Sequence, residues 1–97
     1  MTACPAIVLD MAISHGEFRR TLTQAFGASV VPLGPQEFRV EFTEGAVRLR
    51  LGEQDTRRIA SLSYPVTLVS IEFEGLLPAS AERFMARFHQ YFQRGGG

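Results

Sequence analysis

The chain predicts an α+β domain: an antiparallel sheet of about four to six strands with two helices, in the order β-α-β-β-β-β-α, and a long C-terminal helix packed on one sheet face. Three observations lead there. Apolar residues alternate near the start and through a long central stretch, two other segments carry them at helical spacing, and Gly or Pro punctuates most of the joins.

Ile7, Leu9, Met11 and Ile13 alternate with Val8, Asp10 and Ala12, which predicts a strand with one buried face. Ser14 to Glu17 then matches a capping box, in which the serine oxygen accepts from the N3 amide, and Ile13 with Phe18 stands at the staple positions. The helix so opened carries Phe18, Leu22, Ala25 and Phe26 on one stripe and meets Gly27 as its stop. Val30 and Val31 begin a short extended piece whose Pro32 suits a sheet edge or a bulge, after which Gly34-Pro35 turns the chain.

Phe38 to Leu51 reads as a hairpin. With Glu44-Gly45 as its loop, Phe42 faces Val47, Val40 faces Leu49 and Phe38 faces Leu51 on one side. On the other side Glu41 opposes Arg48 and Arg39 opposes Arg50. Gly52 to Arg58 is a polar connection. Ile59 to Gly75 reads as extended on both sides of Tyr64-Pro65, which fits either a tight turn with a cis bond or one long strand bent at the proline. Within it Val69, Ile71 and Phe73 share one face, and Ser70, Glu72 and Glu74 the other.

Pro78 to Ser80 opens the last helix. Ala81, Phe84, Met85, Phe88, Tyr91 and Phe92 fall on one face, with Arg83, Arg87, Gln90 and Arg94 beside them. Three glycines follow. A phosphate cradle needs glycines leading into a helix, where the free amides lie, so Arg94 and Gly95 are expected to complement and terminate the carbonyl end.

The order of strand, helix, several antiparallel strands and long helix resembles that of the TATA-binding-protein-like and helix-grip folds. The resemblance is one of element order. It implies a long helix lying across an antiparallel sheet, and no motif of either family is present to carry DNA or lipid binding with it.

Ninety-seven residues, 45% of them hydrophobic, suit one domain over residues 1–94 with a flexible tail at 95–97. Ten cationic and ten acidic side chains cancel, which makes nucleic acid an unlikely partner. All ten cations are arginine, so neither Schiff-base chemistry nor a lysine base is available. Cys4 is the only cysteine, no signal-peptide pattern opens the chain, and no apolar run reaches a membrane span; the expectation is a cytoplasmic protein with no membrane partner.

No catalytic motif stands out. Cys4, His15 and His89 are scattered without metal-ligand spacing, so no metal and no cofactor are expected, and no nucleophile signature accompanies Ser14 or Cys4. Ser14 serves as a cap, and His15 in the first turn is expected to be solvated. Two surfaces remain. The first is the charged sheet face of Arg39, Glu41, Arg48, Arg50, Glu72 and Glu74, which reads as a solvated face or as an isologous interface with a second copy or another protein. The second is a pocket under the last helix bounded by Tyr64, Phe84, Phe88, His89 and Phe92, which would take a small apolar ligand. A non-enzymatic, homodimeric interaction module is the expected function, with an apolar-ligand carrier or enzyme as its rival.

Overall fold

The computed structural model describes residues 7–92. Its elements are β1 (Ile7–Met11), α1 (His15–Phe26), a 3₁₀ turn (Gly27–Ser29), β2 (Val30–Gly34), β3 (Glu37–Glu41), β4 (Ala46–Leu51), β5 (Asp55–Ile59), β6 (Leu62–Glu74) and α2 (Pro78–Phe92). The fold is α+β, and α2 is the C-terminal helix that the apolar spacing predicts. The terminator role expected of Arg94 and Gly95 and the tail at 95–97 lie outside the described residues.

All strand pairs are antiparallel, in the order β1-β6-β4-β3-β2, with β5 paired to β6 beyond the end of β4. Both helices cover one face. Ring contacts tie them to it: Phe18 of α1 lies 6.1 Å from Phe38 of β3, and Phe84 of α2 lies 6.3 Å from Phe42 and 6.1 Å from Phe73. Phe26 stacks on Phe84 at 4.7 Å, and Phe92 stacks on Phe88 at 4.3 Å. Phe18, Phe38, Phe84 and Phe88 are fully buried with Leu22, Val40, Val47, Leu49, Val69 and Ile71. Each buried side chain of this kind contributes roughly 1.5–3 kcal/mol of transfer free energy.

Local chemistry sets the ends. Ser14 Oγ accepts from the Glu17 amide at 3.1 Å, as the capping box requires, and the Gly27 N–H donates to the Thr23 carbonyl at φ 57°. His15 is not solvated as expected. Its Nε2 donates to the Gly52 carbonyl at 2.7 Å, and its amide donates to Gln54 Oε1 at 2.9 Å, so the first turn of α1 is fastened to the end of β4. Thr67, fully buried on the helix-covered face, donates its hydroxyl to the Ile13 carbonyl at 2.8 Å and so satisfies a polar pair in the core.

Two readings change. The β3–β4 register pairs Glu37 with Arg50, Phe38 with Leu49, Arg39 with Arg48 and Val40 with Val47, two residues from the pairing that a Glu44-Gly45 loop requires. The loop instead spans 42–45, closed by the Phe42 amide on the Gly45 carbonyl at 2.8 Å. A shift of two leaves every side chain on its own face, so alternation cannot detect it. Gly45 helps to fix it, because a Cβ there would stand 2.0 Å from the Glu74 carbonyl oxygen. Beside it, the Ser80 hydroxyl and then Glu44's own amide hold the Glu44 carboxyl below its ordinary pKa.

The second change is β5, which occupies most of the polar stretch read as a connection. Gly52 donates to the Leu68 carbonyl at 2.8 Å, and Asp55 pairs with Val66, so Glu53 and Gln54 together stand opposite Thr67. One extra residue of this kind is a β-bulge, which bends a strand without ending the pairing. β4, the bulge and β5 therefore run alongside β6 as one long hairpin, turning at Ala60-Ser61 with Ala60 at φ 55°. No described peptide bond is cis, and the chain passes through Tyr64-Pro65 within β6. Since β1 stops opposite Thr67, residues 62–66 and β5 form a two-stranded arm roughly 16 Å long at ~3.3 Å per residue. The long dimension of the molecule is 46 Å, against 27 and 23 Å for the others.

Candidate interaction surface

Helices cover one face of the sheet, and no described helix covers the other. Strand alternation places Val8 and Asp10 of β1, Leu68, Ser70, Glu72 and Glu74 of β6, Arg48 and Arg50 of β4, and Glu37, Arg39 and Glu41 of β3 on this outer face. The six charged residues singled out in the sequence are thus brought together, and Glu37 joins them.

All of these charges but Glu72 form ion pairs within the described residues. Arg39 lies 3.7 Å from Glu41 and 3.4 Å from Glu74; Arg48 lies 3.5 Å from Glu74 and 3.6 Å from Glu37; Arg50 lies 3.5 Å from Glu37. Glu37 and Glu74 each bridge two guanidinium groups, which offsets the direct Arg39–Arg48 apposition. Half-exposed pairs of this sort contribute about 0–1 kcal/mol each. The Nε atoms of Arg39 and Arg48 are buried without a hydrogen-bond acceptor.

Beside the charges runs an apolar stripe. Val8 is 58% exposed, Leu68 52%, Ile59 57% and Leu62 68%. By alternation all four lie on the outer face; between Leu68 and Leu62, Tyr64 is half-buried and Val66 buried, so the exposed side chains gather at two places, Val8 with Leu68 on the body and Ile59 with Leu62 at the tip of the arm. Where the arm leaves the body a cleft of about 280 Å³ opens, lined by Asp10, Glu53, Asp55, Arg57, Val66 and Leu68. Across it Arg57 donates to Asp10 at 3.2 Å, and that hydrogen bond, ahead of the carboxylate's attraction and the smaller effect of Tyr64, holds the guanidinium still more firmly protonated.

The proposed pocket residues are divided. Phe84 and Phe88 are in the core, Phe92 is half-buried and stacked on Phe88, and His89 is exposed with its ring edge-on to Phe88 at 5.9 Å. Tyr64 belongs to the arm, opposite Arg57. A surface cleft of about 450 Å³ does lie at the flank of α2, lined by Phe26, Phe42, Arg83, Phe84, Arg87 and Gln90. Arg87 is already engaged there, donating to the Ala25 carbonyl and lying over the Tyr91 ring at 5.1 Å.

Sequence reasoning missed Glu37 and the apolar stripe. The signal for the stripe was present in Ile59-Ala60-Ser61-Leu62, two β-formers around a two-residue turn, but alanine at a left-handed position conceals it. Among the described residues no group of three or more His, Cys, Asp or Glu side chains could hold a metal ion, and no helix is long and apolar enough to cross a membrane. No known family, curated protein or solved structure matches the chain.

Proposed function

We propose that this protein is a non-enzymatic interaction module of the cytoplasm that works as a homodimer and engages proteins through the outer face of its sheet. The observation that carries this reading is the exposed apolar side chains of Val8, Leu68, Leu62 and Ile59 on the face that no described helix covers. Exposed apolar side chains gathered on one sheet face mark contact surfaces, and a polar margin is their usual setting. Here the margin is the Arg–Glu array, whose three arginines are met by Glu37, Glu41 and Glu74 while Glu72 has no such partner among the described residues, so its role is to frame the contact and to reject unsuitable partners. The cytoplasmic assignment rests on the single cysteine.

Sedimentation equilibrium of the wild-type protein across a hundredfold concentration range tests the reading. A dimer mass at the upper concentrations is expected. A monomer mass throughout would remove the homodimer from it.

A further inference from the structure

Resting on the homodimer proposed above, we infer that the second copy adds to the free edge of β5, arm against arm, about a twofold axis through Thr56.

The arm is incomplete by itself. A two-stranded ribbon in water is marginal, and three or more strands are needed for independent stability; a second arm would make four, with the two β5 strands at the centre. All five residues of β5 are exposed, so nothing among the described residues covers that edge. Two other free edges are protected. β2 carries Pro32 and an irregular register, and the overhanging edge of β6 carries Pro65.

Charge favours self-pairing on β5. Glu53 and Asp55 precede Arg57 and Arg58, so antiparallel addition of a second copy lays the acidic half of one strand against the basic half of the other. β1, also free, has only Asp10, which already serves Arg57.

Backbone phase then selects the register. Ile59 and Leu62 close the turn and residues alternate from there, so Asp55, Arg57 and Ile59 bond to β6 while Thr56 and Arg58 direct their N–H and C=O groups outward. Consistent with this, the Thr56 amide is not engaged by β6 but by Asp55 Oδ1 at 2.8 Å. Three antiparallel self-pairings satisfy the phase. Thr56 against Arg58 of the second copy puts Arg57 on Arg57, and Arg58 against Arg58 is repulsive outright. Thr56 against Thr56 instead sets Asp55 opposite Arg57 twice, at the non-hydrogen-bonded positions where side chains approach most closely. Asp55 exchanges its bond to the Thr56 amide, and Arg57 its bond to Asp10, for the opposite charge of the second copy, and that amide donates to the opposite Thr56 carbonyl.

The test is a charge exchange read by sedimentation velocity. Asp55→Arg and Arg57→Glu each place like charges opposite one another twice, and each variant alone is expected to dimerise at least about tenfold more weakly than wild type. Mixed in equal amounts they should form a heterodimer, because the introduced arginine then faces the introduced glutamate and the native Asp55 faces the native Arg57. A wild-type dimer whose single variants still dimerise, or whose weakened variants do not recover on mixing, would overturn the β5 register and leave the homodimer standing; a monomeric wild type would overturn both. Should Arg57→Glu unfold the arm, Thr56→Cys in a Cys4→Ser background decides. The paired Thr56 Cα atoms would lie about 5.5 Å apart, within disulfide range, so oxidation should link the dimer, and a dimer that fails to cross-link would contradict the inference.

Discussion

β6 crosses two regions that cohere by different means. From Thr67 to Phe73 it is paired with β1, with β4 or, from Val69 to Ile71, with both, and Val69, Ile71 and Phe73 lie under a layer of phenylalanine rings. From Leu62 to Val66 it has β5 on one side and no strand on the other. The body owes its stability to burial, which acts without any partner. The arm has ladder hydrogen bonds, one ion pair to the body and exposed apolar side chains, an inventory that needs a further surface to be stable on its own. The two regions should therefore respond to different perturbations.

Phe84→Ala separates them most sharply. It removes a ring in contact with Phe26, Phe42, Phe73 and Phe88 and should lower global stability by roughly 3–5 kcal/mol, seen as a lower urea midpoint. Ala60→Gly acts on the arm alone. The left-handed backbone costs an alanine about 1–2 kcal/mol, of which glycine's greater unfolded-state entropy returns about half, so the arm amides should exchange more slowly while the body amides keep their rates. Asp10→Asn addresses the seam. It removes the bond to Arg57, and because both groups are half-exposed the loss should be the smallest of the three, confined to the arm and smaller in high salt. A fall in the global urea midpoint as large as that of Phe84→Ala would contradict the separation.

The same contrast explains what could be read in the sequence. Burial imposes period, so the faces of β1, β3, β4 and the body half of β6, the stripe of α1 and the apolar side of α2 were legible, while β2, whose burial does not alternate, was not assigned a face. Register within a face was not. A two-residue slip between β3 and β4 preserves the pattern, and the features that exclude it, Gly45 against the Glu74 carbonyl and Glu44 beside Ser80, lie in residues far apart in sequence. β5 was hidden for the opposite reason: all of Asp55–Ile59 is exposed, so no alternation marks it, and it is a strand only because β6 continues alongside. Of the candidate surface, the charged half was visible as alternation with core residues. The apolar half was not, since Val8 alternates away from the buried face of β1 but nothing in the sequence sets it beside Leu68 or brings Ile59 opposite Leu62.

Amide hydrogen exchange on the wild-type protein at low and high concentration tests the central claim most directly. Body amides such as those of Leu49 and Ile71 should be protected equally at both. Arm amides, the outward N–H of Arg58 above all, should exchange freely in dilute protein and become protected as concentration rises. Arm protection that equals that of the body and does not change with concentration would contradict the account, because the arm would then be complete within one chain.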